Sequence, residues 1–74
     1  MLSKTKFSEI IGKNVRRERL KKSLTQDELA HMCGFYRTYI NLIETANRSP
    51  SSYSLYRIAK ALNVSVELLY PSVQ

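Results

Sequence analysis

Residues 24–40 read LTQDELAHMCGFYRTYI, and this run decides the architecture. Thr25 and Glu28 stand three apart ahead of an apolar pair. That is the spacing of a capping box, in which each side chain satisfies a backbone N–H of the helix start. A helix therefore begins at Thr25, with Leu29, Ala30 and Cys33 turned toward a core. Gly34 ends it, because glycine enters the left-handed conformation that closes a helix without a Cβ clash. Only Phe35 and Tyr36 separate Gly34 from Arg37. A second helix opens there and runs to about Thr45, with Ile40 and Ile43, three apart, as its core contacts.

The flanks add further helices around this pair. Upstream, Phe7, Ile11 and Val15 recur at i, i+4 and i+8 and mark the inward stripe of a helix expected over about 7–21. Lys13, Arg16 and Arg17 fall away from that stripe toward solvent, as does Leu20, which the periodicity leaves unexplained. Downstream comes the loop Ala46-Asn47-Arg48-Ser49-Pro50, where Asn47 suits the left-handed conformation that glycine usually supplies. Ser51 or Ser52 caps a fourth helix, whose Leu55, Ile58, Ala59 and Leu62 repeat at i, i+3, i+4 and i+7. Ser65 caps a short fifth helix carrying Val66, Leu68 and Leu69, and Pro71 stops it. No segment alternates as a strand does. The expected fold is all-α, a single domain of five short helices, with a helix-turn-helix unit formed by the second and third.

Length and charge narrow the function. A chain of 74 residues buries too small a core to surround a deep catalytic cleft. A flat or convex binding module is expected instead, and pairing with a second copy would add buried area. The net charge is +6, and Lys13, Arg16, Arg17, Arg19, Lys21 and Lys22 crowd one early segment opposed only by Glu18. That balance favours an anionic partner, nucleic acid before acidic membrane or protein. Cys33 is the only cysteine and His31 the only histidine, which together cannot complete a zinc site or an intrachain disulfide. Neither makes a nucleophile–base set with the few carboxylates. No enzyme, metal or cofactor is expected. No run approaches the roughly 20 apolar residues of a membrane span, and residues 1–7 lack the apolar core of a signal peptide. The expected location is the cytoplasm, with no membrane partner.

Leu24-Thr25-Gln26-Asp27-Glu28-Leu29-Ala30, Gly34, Arg37-Thr38-Tyr39-Ile40, Ile43-Glu44, Asn47-Arg48-Ser49-Pro50-Ser51 and Ile58-Ala59-Lys60-Ala61-Leu62-Asn63-Val64 resemble, in order and spacing, the Cro/C1-type helix-turn-helix regulators of phages and bacteria. The resemblance spans residues 15–69 and implies a lambda-repressor-like domain. Arg37-Thr38-Tyr39-Ile40 also resembles the controller proteins of restriction–modification systems, small dimeric activator-repressors that time endonuclease expression. The resemblance implies a homodimeric transcriptional regulator on a palindromic duplex-DNA operator, with RNA polymerase as a further partner where it activates. The alternative is a phage-type repressor, or an antitoxin acting mainly through a protein partner. An antitoxin would be expected to carry an extra toxin-wrapping segment, and little chain follows the fifth helix.

The same resemblance assigns roles. The third helix lies in the major groove. Arg37 faces guanine O6 and N7, Thr38 and Asn41 offer polar contacts to bases, and Leu42 meets a thymine methyl. Gln26, Tyr36, Tyr39, Asn47, Arg48 and Arg17 approach the DNA backbone. Ser51 and Ser52 do so through the amides of the fourth helix's N-terminus. Arg19 and Glu44 form a structural ion pair. Asn63, Val64, Val66, Leu69 and Tyr70 are expected at the dimer interface, with Leu68 in the core. Asp27 sits where some activators of the family place an acid, although an acid there also simply favours a helix N-terminus. Each position has an ordinary reading beside the functional one: solvated helix surface for the polar residues, core closure for the apolar ones. Tyr36 and Leu42 depart from the small or polar residues usual at their positions. Ser23 and Ala46 replace glycines common in the family, which puts two turns in question.

Overall fold

A computed structural model describes residues 1–72. The order is α1 (Lys4–Lys21), α2 (Gln26–Cys33), α3 (Arg37–Glu44), α4 (Ser52–Leu62) and a 3-10 turn at Val66–Leu68. No strand occurs among the described residues. None of their helices is long and apolar enough to cross a membrane.

Two boundaries differ from the sequence expectation. α1 begins at Lys4 rather than Phe7, because Ser3 Oγ accepts from the Lys6 amide at 3.0 Å and caps an extra turn. The fifth helix is only a 3-10 turn, so the described residues form four α-helices rather than five. The chain leaves α4 through a left-handed Asn63 (φ 57°), and Pro71 disfavours helical backbone in the residue before it. The span between is too short for a full α-helix. Ser65 Oγ still caps the turn, accepting from the Glu67 amide at 3.3 Å.

The core gathers one face of each helix: Ile11 and Val15 from α1, Leu29, Ala30 and Cys33 from α2, Ile40 and Ile43 from α3, and Leu55, Ile58, Ala59 and Leu62 from α4. Leu69 completes it with no exposed surface, whereas Leu68 is 46% exposed. The expected roles of these neighbours are thus exchanged. A 3-10 turn winds about three residues per turn rather than 3.6, so α-helical phasing misplaces the residue that faces in. Asn14 Nδ2 fixes the outcome by donating to the Leu69 carbonyl at 3.0 Å.

α3 packs against both α1 and α2. At Gly12, α1 and α3 meet backbone to backbone. A Cβ there would lie 2.5 Å from the Ile43 carbonyl oxygen and 2.8 Å from that of Glu44. Ser23 (φ 57°) and Ala46 (φ 62°) hold the left-handed turns where glycine is usual, each at a cost of about 1 kcal/mol. In the loop after α3 the left-handed residue is therefore Ala46, not Asn47. Gly34, at φ 75°, closes α2 as expected. Cys33 is 1% exposed, its Sγ 3.8 Å from the Arg57 carbonyl oxygen. Burial pushes its thiol up to about 11.

Candidate nucleic-acid interface

The outward face of α3 is polar because its inward face is not. Ile40 and Ile43 are fully buried, which turns the first-turn residues Arg37 and Thr38, and Asn41 one turn on, to the exposed side. These three line one shallow concavity. Thr38 also borders a neighbouring groove lined by Tyr36, Tyr39, Leu42 and Arg48. Tyr36 is the N-cap of α3 but makes no side-chain cap bond, and its ring is 86% exposed.

Two polar anchors hold α3 in place. At its C-terminal end Glu44 receives Arg19 in a two-pronged pair, Nε to Oε2 at 2.6 Å and Nη2 to Oε1 at 2.9 Å. The two side chains are only 6% and 2% exposed. Arg19 Nη1 also donates to the Leu24 carbonyl at 2.8 Å. Hydrogen bonding to Glu44 raises the Arg19 guanidinium above its usual range, against desolvation, which opposes it. Gln26 Nε2 donates to Glu44 Oε1 at 3.1 Å, and its Oε1 accepts a long bond from Asn41 Nδ2 at 3.5 Å. Gln26 therefore ties the start of α2 to both the buried end and the outward face of α3.

The second anchor is Tyr39. Its hydroxyl donates to Ser54 Oγ on α4 at 2.8 Å, so that proton is used inside the fold and not offered to a phosphate. Its ring packs edge-on against Phe35 at 5.0 Å between centroids. The Arg48 guanidinium lies 5.8 Å from the same ring, a cation–π arrangement that stations the charge beside the groove. Ser51 Oγ accepts from the Ser54 amide at 3.1 Å as the cap of α4, and Ser51 and Ser52 are both exposed at that terminus. Asn47 is exposed and donates through Nδ2 to Thr45 Oγ1 at 2.9 Å.

A notch on the other side of Arg48 brings in residues the sequence reading missed. Lys4, Thr5 and Ser8 line it together with residues 46–49, and Ser8 Oγ donates to Ser49 Oγ at 3.1 Å. Starting α1 at Phe7 hid Lys4 and Thr5. The signal for them was Ser3, three residues before the Lys6 amide it caps.

Arg17 requires a correction. Its Nε donates to Glu18 Oε2 at 2.9 Å, Nη1 to Asn14 Oδ1 at 2.8 Å and Nη2 to the Leu68 carbonyl at 3.5 Å. It lies against the 3-10 turn and neutralises a carboxylate whose side chain is 4% exposed, rather than serving the backbone contacts beside α3. That hydrogen bond holds Glu18 below the usual carboxylate range, with burial opposing and Lys21, 3.4 Å away, assisting. Leu69 likewise leaves the set of expected interface residues, since its side chain is enclosed by its own chain. Asn63 is exposed and Val64 half-buried. Val66 is 37% and Tyr70 40% exposed, the latter ring edge-on to Phe7 at 5.9 Å. Leu68 joins this outward group.

Comparison with known proteins agrees with this geometry. The helix-turn-helix family model matches residues 15–69. The control protein C.SmaI of Serratia marcescens is 43% identical over 63 residues, 85% of this chain and 75% of that protein. The crystal structure of the restriction-modification controller protein C.AhdI from Aeromonas hydrophila superposes with a TM-score of 0.83 at 28% identity, covering 85% of this chain and 96% of that one. The P22 c2 repressor, solved in complex with a synthetic operator, superposes with a TM-score of 0.76 at 28% identity, covering 81% of this chain and 91% of the repressor. The chain belongs to the helix-turn-helix family and is a transcriptional regulator of that type, close to the restriction–modification controller proteins.

Proposed function

We propose that this chain binds a two-fold symmetric duplex-DNA operator as a homodimer, in the cytoplasm, and controls expression of a restriction–modification system. The observation that carries the DNA reading is the outward row Arg37, Thr38 and Asn41 on a helix whose opposite face is buried and which is anchored through Tyr39 and Glu44. Rigid presentation of side chains is what base reading needs. Arg37 donates to guanine O6 and N7, Thr38 and Asn41 meet neighbouring bases, and Leu42 lies against a thymine methyl. Arg48, with Asn47, Gln26 and Tyr36, takes backbone phosphates. Ser51 and Ser52 add the amides of the α4 N-terminus. Asn63, Val64, Val66, Leu68 and Tyr70 form the contact between copies, and RNA polymerase is a further partner when the protein activates. The controller role rests on similarity to relatives so named.

The decisive experiment is selection of bound sites from random duplexes at near-physiological salt. The expected product is a palindromic motif with half-sites about 34 Å apart, one helical turn. Binding with no enriched motif that disappears as salt rises would overturn the reading, since it would be charge attraction alone. On the selected site Arg37→Ala should cost about 1–3 kcal/mol and relax preference at one base pair. Equal loss on selected and random duplexes would remove Arg37 from base reading.

A further inference from the structure

The exposed side of α4 carries a second surface that shares no residue with the row on α3. Tyr53, Tyr56 and Met32 are 62%, 55% and 50% exposed. The two tyrosine rings stack at 6.4 Å between centroids with planes 29° apart. Arg57 lies 5.8 Å from the Tyr53 centroid and donates through Nη1 to the Tyr53 hydroxyl at 3.0 Å. Lys60 Nζ stands 5.8 Å from the Tyr56 centroid. With Ala61 these residues line a groove between the end of α2 and α4, and none of its lining residues is a carboxylate. Large apolar side chains grouped on a small domain's surface mark an interaction site.

We infer that this groove docks an acidic segment of a partner protein. The segment carries carboxylates spaced to meet Arg57 and Lys60, one helical turn apart, and an apolar or aromatic side chain that lies along the Tyr53–Tyr56 stack. Charge selects this occupant. A second copy meeting the same patch across a two-fold axis would bring both Arg57 and Lys60 side chains of each copy together with nothing to neutralise them. A duplex backbone would match the charges but leave Met32 and the ring faces against phosphate and water. An acidic segment with an apolar residue satisfies both features. This inference does not depend on the DNA reading.

The test uses isotope-labelled protein and two probes, a glutamate–tyrosine copolymer and polyglutamate of equal length, with amide NMR shifts and affinity as readouts. The copolymer should move the amides of Met32, Tyr53, Tyr56, Arg57 and Lys60, and bind several-fold more tightly than polyglutamate. Lys60→Glu should weaken it by about tenfold, because the reversed charge meets carboxylates. Tyr56→Ala should reduce the copolymer to the level of polyglutamate. Both positions are exposed, and circular dichroism checks that each variant folds. Shifts confined to Arg37, Thr38 and Arg48 would overturn the inference, since the polymer would then be a stand-in for DNA. So would indifference to Lys60→Glu. Patch amides that move on diluting the protein alone would assign the surface to a second copy, and amides that move with random duplex would assign it to nucleic acid.

Discussion

The seam between α1 and α3 and the stretch 64–70 are built on opposite terms. At the seam, Arg19, Glu44 and Gln26 meet one another inside a single chain, and Gly12 lets the two backbones touch. Among the described residues no buried side-chain nitrogen or oxygen lacks a partner. In 64–70, only Leu69 is fully buried, while Val66, Leu68 and Tyr70 face outward. The part that presents α3 is therefore complete in one copy. The terminal stretch presents apolar surface, which the proposed homodimer would cover.

The largest effect should come from breaking the seam. Arg19→Ala leaves Glu44 buried without its cation and should cost about 3–5 kcal/mol, enough to leave so small a domain largely unfolded in a thermal or urea melt. A cost under about 1 kcal/mol would mean that water reaches Glu44 and that the seam is not closed. The terminal stretch offers a paired contrast. Leu69→Ala empties a fully buried site and should cost about 2–4 kcal/mol. Leu68→Ala should change the melt of a dilute sample by less than about 0.5 kcal/mol and instead raise the dimer dissociation constant in sedimentation. Equal melts for the two variants would erase the distinction drawn between them. Gly12→Ala pushes two carbonyls apart and should cost about 1–3 kcal/mol. The DNA affinity of the variant that still folds would show whether the position of α3 matters as well as its stability.

The smallest effect concerns pH. Arg17 holds the Glu18 carboxylate below its ordinary range, so the associated stability is present above the unfolded-state value and is lost as pH falls through the lowered folded-state value. Arg17 is itself 47% exposed, and solvent screening keeps the contribution small. Glu18→Gln should flatten the acid side of the melting-temperature profile slightly, and an unchanged profile would remove the pair from the account.

Most of the fold was legible because it is written in local chemistry. Thr25 with Glu28, Gly34, and the stripe from Leu55 to Leu62 each specify an element without reference to distant residues. Leu68 and Leu69 were misassigned because a 3-10 turn has no α-helical phase to read. Arg17 was misplaced because its position depends on Glu18, Asn14 and the Leu68 carbonyl, the last of which is brought near only by the tertiary fold. The pairing of Arg19 with Glu44 was available through family resemblance rather than through spacing along the chain. The outward row on α3 was likewise available through family resemblance, and the burial of Ile40 and Ile43 accounts for it. The notch with Lys4 and Thr5 was not, since it exists only where the start of α1 passes the loop after α3.

Cys33 gives the molecule a clock of its own. Alkylating reagents attack the thiolate, and this thiol is enclosed between α2 and α4 with its proton held well above neutral pH. In the native state the protein should be inert to such reagents. Each covalent hit then records an excursion in which α2 parts from α4, so the rate of labelling follows the population of the open state when reclosing is fast and the opening rate when labelling is faster, with no engineered residue.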